Sequence, residues 1–262
     1  MRINPDDDLG MAQPPQFRVV ACLAVLGRLP LLELTIRRLY EKNGCYKVIC
    51  AGHDPKDREV CERAGAVWVQ ARNNPLGFKW NKSFEAARQF DPDACLFVGS
   101  SDWLSDNWIP IMRPYLESYD LVGVPGMHLL HVCEDPLLCC WPGYINQRRG
   151  ESIGIGRMLG RQLLDRIQFK PFKERLESSL DNSMQDISSI HAARIHLVDN
   201  KNIVALSLST NLWPQKHKFA DHYLGILPSK KLYNVEEFLL QNFPEALELI
   251  KSLCTLEVRS DK

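Results

Sequence analysis

Phe17-Arg18-Val19-Val20-Ala21-Cys22-Leu23-Ala24-Val25-Leu26 runs apolar and β-branched without polar interruption, then breaks at Gly27-Arg28-Leu29-Pro30. A run of this kind suits a central parallel strand buried on both faces. Pro30 sits at a first-turn position, and Leu32, Ile36, Leu39 and Tyr40 follow at helical spacing, which predicts a helix ending by Asn43-Gly44. Tyr46 to Cys50 reads as a second strand. Asp54-Pro55 reads as an N-cap followed by proline at the first helical position, with Val60, Cys61 and Ala64 inward and Gly65 closing the helix. Val67-Trp68-Val69 is a third, short strand. This β-α-β-α-β alternation predicts a parallel sheet with right-handed crossovers.

Such a sheet is the usual home of a nucleotide, but two common nucleotide sites are excluded. The turn after the first run, Ala24-Val25-Leu26-Gly27-Arg28, lacks the GxGxxG that lets a pyrophosphate approach the backbone, and no GxxxxGK[ST] loop occurs. Gly154-Ile155-Gly156 with Gly160 imitates the first pattern, yet no strand is predicted before it.

Further along, Asn73-Asn74-Pro75-Leu76-Gly77-Phe78-Lys79-Trp80-Asn81 leads from a turn into a helix with Trp80, Phe84 and Ala87 inward. Lys79 lies in the first turn, against the helix dipole, so it is read either as the partner of an anion or as a solvated lysine. Ala94-Cys95-Leu96-Phe97-Val98-Gly99-Ser100-Ser101-Asp102-Trp103 is a short buried strand that delivers one carboxylate into a polar turn. A carboxylate at the end of such a strand can hold a hard divalent cation; equally, Asp102 can cap the turn. Asp106 is expected to cap a helix running to about Leu116, and Leu121 to Val124 to form a strand. Gly126 to Gly150 reads as long and irregular, with Trp141 and Tyr144 offering either flat faces to a sugar or loop packing. Ser152 to Ile167 is expected to become a helix on Leu159, Leu163, Leu164 and Ile167, with Arg148, Arg149, Arg157, Arg161 and Arg166 on its solvated side. Leu180 onward starts a helix with Met184, Ile187 and Ile190 inward, in which Asp181 can serve as N-cap. Arg194–Val198 and Ile203–Leu208 read as two strands around the turn at 199–202. Asn234 is expected to cap a final amphipathic helix, a packing or dimerisation element that leaves a homodimer open.

Composition narrows the class. Thirty-two basic and 32 acidic side chains give a net charge of +0, so there is no global field to attract nucleic acid or a membrane surface. The nine cysteines include no CxxC pair and no zinc spacing, and several lie in apolar runs. They read as small core residues of a protein kept in a reducing compartment, hence a soluble, cytoplasmic one. No apolar run approaches the ~18 residues of a membrane span. The expected organisation is a flexible leader over 1–16, an α/β domain over 17–232 with a nucleotide-binding half at about 17–125 and an acceptor half at about 126–232, and a helical segment over 233–262.

With these segments in order, residues 17 to 215 resemble the nucleotide-sugar glycosyltransferases of the GT-A fold, most closely the inverting family 2 group. The resemblance implies a Rossmann-like single domain with a mixed, mainly parallel central sheet flanked by helices. It implies a nucleotide-sugar site built from Val25, Gly27, Arg28, His53, Asp54, Asn74, Lys79, Ser100 and Ser101. It further implies Mn²⁺ or Mg²⁺ on Asp102 with a late histidine, His217, and Asp181 as the base that deprotonates an acceptor hydroxyl. Lys216 can add charge near the diphosphate. The donor implied is a nucleotide-diphosphate sugar, a UDP-sugar before others, and the acceptor a glycan or other hydroxyl compound. Three departures stand out. Ser100 occupies the place of the first acid of the Asp-x-Asp motif; Gly52 or His53 stands where the family often puts a base-contacting Asp; and Leu180-Asp181 matches the catalytic pair only by position. Two rivals therefore remain, a non-catalytic nucleotide- or carbohydrate-binding module on a degenerate scaffold and a sugar-nucleotide nucleotidyltransferase, the latter disfavoured by a glycine-poor first loop.

Overall fold

The computed structural model describes residues 17–132, 136–144, 148–210 and 234–260, with side chains left aside at 209–210 and 254–260. The chain opens with β1 (Val19–Ala24), α1 (Leu29–Glu41), β2 (Lys47–Gly52), α2 (Pro55–Arg63), β3 (Val67–Gln70), α3 (Leu76–Ala87) and β4 (Ala94–Phe97). It continues through β5 (Asp102–Leu104), α4 (Trp108–Met112), β6 (Leu121–Gly123), β7 (Met127–Val132), β8 (Leu137–Trp141) and β9 (Met158–Gly160). Last come α5 (Arg161–Arg166), α6 (Leu180–Ile190), β10 (Ile195–Leu197), β11 (Ala205–Thr210), α7 (Val235–Asn242) and α8 (Leu247–Ser260).

Two sheets result. The larger has seven strands in the order β10-β6-β9-β4-β1-β2-β3, and the smaller has four in the order β5-β11-β7-β8. In the larger sheet β1 pairs in parallel with β2 and β4, while β9 runs antiparallel to both β4 and β6. The sheet is mixed and mainly parallel, as the resemblance implied.

The uninterrupted apolar run of β1 is explained by its neighbours. Side chains alternate across a strand, so Val19, Ala21 and Leu23 join Leu32, Ile36 and Leu39 of α1 on one face, while Val20 and Cys22 join Trp80 and Phe84 of α3 on the other. Both faces are covered, and no position is left for a polar residue. Leu163 and Leu164 of α5 and Met184 of α6 complete the second face. A third cluster lies between the small sheet (Trp103, Leu130, Leu138, Leu206) and Phe238, Leu239, Phe243 and Ile250 of the C-terminal helices. Arg38 of α1, 3% exposed, ties that helical pair to the main body by reaching Asp106 at 3.0 Å and, more closely, Glu245.

Several local expectations are overturned. Within Gly126 to Gly150, Met127–Val132 and Leu137–Trp141 are not irregular: as β7 and β8 they pair antiparallel, and their inward residues pack on α7 and α8. Leu159 belongs to β9 rather than to a helix, with the helix starting two residues later at Arg161. The strands on either side of 199–202 make no hairpin, since β10 pairs with β6 in one sheet and β11 with β7 and β5 in the other. Asp106 does not cap α4; Asn107 holds that position without a side-chain bond, and Asp106 is spent on Arg38. Ile190 is 75% exposed rather than inward. The described cysteines are unbridged, and all but Cys140 are buried.

Candidate functional site

The order of strands in the large sheet reverses between β1 and β4: the chain builds outward from β1 through β2 to β3, then returns to the other side of β1. Ligands of open α/β sheets bind at such a switch point, outside the carboxyl ends of the strands. The segments that leave the two strands there are Val25 to Arg28 and Val98 to Asp102.

The first segment is held rigidly. Val25 N–H donates to Ala51 O at 2.8 Å, and Gly27 N–H to both carboxylate oxygens of Asp57 at 3.0 Å. Gly27 (φ 64°) and Arg28 (φ 62°) are both left-handed, a conformation that costs an arginine about 1–2 kcal/mol. The turn throws the Arg28 side chain across the switch point, where Nη1 donates to Ser101 Oγ at 2.5 Å. Burial lowers the pKa of that guanidinium, and the negative charge of Asp102 raises it.

In the second segment Asp102 folds back on its own turn. Its Oδ2 accepts from Gly99 N–H at 2.9 Å and its Oδ1 from Ser207 Oγ of β11 at 2.7 Å. Gly99 is required there, because a Cβ would come 2.4 Å from Oδ2. Burial pushes the Asp102 carboxyl above its ordinary range, the Ser207, Gly99 and Arg28 contacts pull it down, and the charge of Asp181 pushes it up again. Ser100 and Ser101 are buried, with Thr35 Oγ1 of α1 donating to Ser100 O at 3.3 Å and Leu208 N–H to Ser101 O at 3.1 Å.

Asp181 is brought in by the segment between β8 and β9. Gly156 N–H donates to Phe97 O, and Phe97 N–H to Arg157 O, each at 2.8 Å, so residues 153–157 are stitched to the last residue of β4. Asp181 Oδ2 accepts from Gly154 N–H at 3.2 Å and from Tyr144 Oη–H at 2.5 Å. Arg157 Nη1 stands 3.8 Å from Oδ1, and 29% of the Asp181 side chain is exposed. A Cβ on Gly154 would come 2.4 Å from Oδ1. Asp181 is therefore no helix cap: the N-cap position of α6 is Ser179, and the carboxylate turns away from the helix end toward β4. Burial, then the adjacent Asp181 charge, raise the pKa of the Tyr144 hydroxyl, which keeps it a donor.

The remaining sequence candidates are placed as follows. Lys79 is not solvated: it is 1% exposed, with Nζ donating to Val25 O and, at 2.8 Å, to Asn73 Oδ1. Burial lowers its pKa from 10.5 to about 8, opposed by Asp57. Asn74 is exposed at the start of the same turn. His53, just past the end of β2, is exposed with Nδ1 3.2 Å from Gln70 Nε2, and Asp54 caps α2 by accepting from Lys56 N–H at 2.8 Å. His217 and Lys216 lie outside the described residues. Sequence reasoning missed several participants, Ser207 of β11 among them. Arg157, expected on a solvated face, is 1% exposed and anchored by Nε on Ser152 Oγ at 2.7 Å. Asp57 and Gly154 carried no signal beyond the ordinary frequency of acids in first helical turns and of glycine in loops.

A resident divalent ion would need several oxygen or nitrogen donors. Among the described residues no group of three or more His, Cys, Asp or Glu side chains is arranged to hold one. Asp102 is the carboxylate at this turn, both of its oxygens already accept hydrogen bonds, and a guanidinium lies beside it. The described donors by themselves do not fit a bound Mn²⁺ or Mg²⁺.

No family model and no curated protein sequence matches the chain. Solved structures do match. The mannosyltransferase PcManGT of Pyrobaculum calidifontis, in complex with GDP-Man and Mn²⁺, superposes with a TM-score of 0.52 at 11% identity over 94% of this chain and 72% of its own. TarS 1-349 of S. aureus, in complex with UDP-GlcNAc, gives 0.51 at 14% identity, covering 73% of this chain and 58% of that one. Glucosyl-3-phosphoglycerate synthase of Mycobacterium tuberculosis, with Mn²⁺, UDP and glucosyl-3-phosphoglycerate, gives 0.50 at 13% identity over 78% and 76%. The chain thus spans just over half the length of TarS 1-349. The fold is that of the GT-A nucleotide-sugar glycosyltransferases. Among the described residues no helix is long and apolar enough to cross a membrane.

Proposed function

We propose that this protein is a glycosyltransferase that moves a sugar from a nucleoside-diphosphate sugar, a UDP-sugar before others, to an acceptor hydroxyl with inversion. The observation that carries the reading is the meeting of two carboxylates at the switch point of a GT-A sheet. Asp102 and Asp181 come from opposite sides of the β4 end, each seated on a glycine N–H, and close enough that the charge of one raises the pKa of the other.

In this reading the diphosphate lies along Val25 to Arg28 and Ser100 to Asp102, the nucleoside over the ends of β1 and β2 near His53 and Asp54, and the acceptor on the side of β7 and β8. Tyr144 and Gly154 hold Oδ2 of Asp181 and leave Oδ1 as the atom that takes the acceptor proton. The bond from the anomeric carbon to the diphosphate oxygen breaks as the bond to the acceptor oxygen forms on the opposite face. Two of the structural neighbours contain Mn²⁺, whereas the described donors here do not by themselves fit the ion. The organisation into a donor half over 17–125 and an acceptor half over 126–232 belongs to the same proposal.

The test is a panel of UDP-, GDP- and other nucleotide sugars, incubated with the full chain and candidate glycan acceptors, with Asp181→Asn in parallel. Release of nucleoside diphosphate with an inverted anomeric product is expected. A loss of turnover by ~10²–10⁴-fold in Asp181→Asn, with donor binding retained, would identify the base. Unchanged turnover in that variant would remove Asp181 from the mechanism.

A further inference from the structure

We infer that Arg28 is a built-in counter-ion for the donor diphosphate, taking the place of the divalent metal. The inference rests on the nucleotide-sugar reading and specifies how that site carries its positive charge.

Four observations converge. Arg28 and Gly27 are held in successive left-handed conformations, and the side chain of Arg28 is thereby thrown across the switch point from the end of β1 to the turn after β4. A strained backbone at a non-glycine residue is a feature the surrounding structure must enforce, here through the bifurcated hydrogen bond that Gly27 N–H donates to both oxygens of buried Asp57. The guanidinium ends on Ser101, one residue from Asp102, whose charge supports its protonated state. Ser100 stands where a second acid would be needed to draw a metal, and the oxygens of Asp102 are committed to Gly99 and Ser207. A divalent ion entering beside Asp102 would meet a fixed positive charge, whereas a diphosphate entering there would meet its complement. A planar fork of N–H donors matches two phosphate oxygens in a way that a single ammonium does not. Lys79 does not take this role, because its Nζ is turned into the protein onto Val25 O and Asn73.

Calorimetric titration of the full chain with UDP and with GDP, in excess EDTA and in excess Mn²⁺, tests the assignment. The expected result is binding of the preferred nucleotide in EDTA within about threefold of that in Mn²⁺, a loss of about tenfold or more in both buffers for Arg28→Gln, and partial recovery in Arg28→Lys. Melting temperatures of the two variants are measured alongside, because a folded Arg28→Gln that binds as wild type overturns the inference. Electron paramagnetic resonance of added Mn²⁺ gives an independent readout, with no stoichiometric binding expected in the presence of the nucleotide. Binding that appears only with Mn²⁺ and disappears in EDTA overturns the inference and leaves the glycosyltransferase reading intact. Absence of binding by either nucleotide in both buffers, together with no turnover across the nucleotide-sugar panel, removes that reading and the inference with it.

Discussion

Replacing Lys79 by methionine tests how the floor of the site is built. The ammonium is 1% exposed, faces Val25 O and Asn73, and has its pKa lowered from 10.5 to about 8 by burial despite the attraction of Asp57. Between those two values the unfolded chain holds a proton that the folded chain has released, so stability rises with pH across that window. At ~1.4 kcal/mol per pH unit, a displacement of this size amounts to about 3 kcal/mol at its limit. Lys79→Met keeps the length of the side chain and removes the titrating group. Urea unfolding of both proteins, followed by far-ultraviolet circular dichroism in reductant from about pH 7 to about pH 10, isolates the effect, since cysteines and tyrosines contribute equally to both. Wild type should gain about 2–3 kcal/mol relative to Lys79→Met over that range. A pH-independent difference would mean that Lys79 keeps its proton in the folded protein and that Asp57 outweighs burial.

Three further outcomes are expected. Gly154→Ala places a methyl 2.4 Å from Asp181 Oδ1 and 3.1 Å from the Phe97 ring, so turnover should fall by ~10–100-fold while calorimetric binding of the nucleotide persists. Tyr144→Phe removes the hydroxyl that holds Asp181 Oδ2 at 2.5 Å, and steady-state kinetics should show kcat reduced by about tenfold with the donor KM unchanged. Asp54→Ala removes the cap of α2 and should cost about 1 kcal/mol of stability by chemical denaturation.

The first half of the fold is legible because its signals are local. The doubly buried run of β1, proline at the start of α1 and α2, and Asp54 as a cap each declare themselves within a few residues. The elements that escape are those defined by partners far along the chain. β9 is three residues long and runs straight into α5, so its one leucine shares the helical spacing that follows; only pairing with β4 and β6 makes Leu159 a strand residue. The β7–β8 hairpin becomes amphipathic only when α7 and α8 supply a surface for it. At the site, Asp102 and Asp181 stand out in the sequence as candidate carboxylates, and the structure seats each on a glycine N–H beside the end of β4. Arg157 is not, since a charged residue is read as solvated until Ser152 and Asp181 are seen around it. Asp57 is likewise ordinary in sequence and acquires its role through Gly27, thirty residues earlier. The GxG at 154–156, refused as a dinucleotide loop, has steric reasons for its glycines: Gly154 admits Asp181, and Gly156 makes room for the Trp108 indole.

β4 belongs to the large sheet and β5 to the small one, and only Val98 to Ser101 lie between them. Asp102, the first residue past that seam, is tethered backward to Gly99 and sideways to Ser207 of β11. Its position is therefore a joint property of two frameworks, and neither can be re-spaced at this joint without dragging the carboxylate along. Length variation among proteins of this design is accordingly expected away from this joint, at the outer, β8 edge of the small sheet, rather than between β4 and β5.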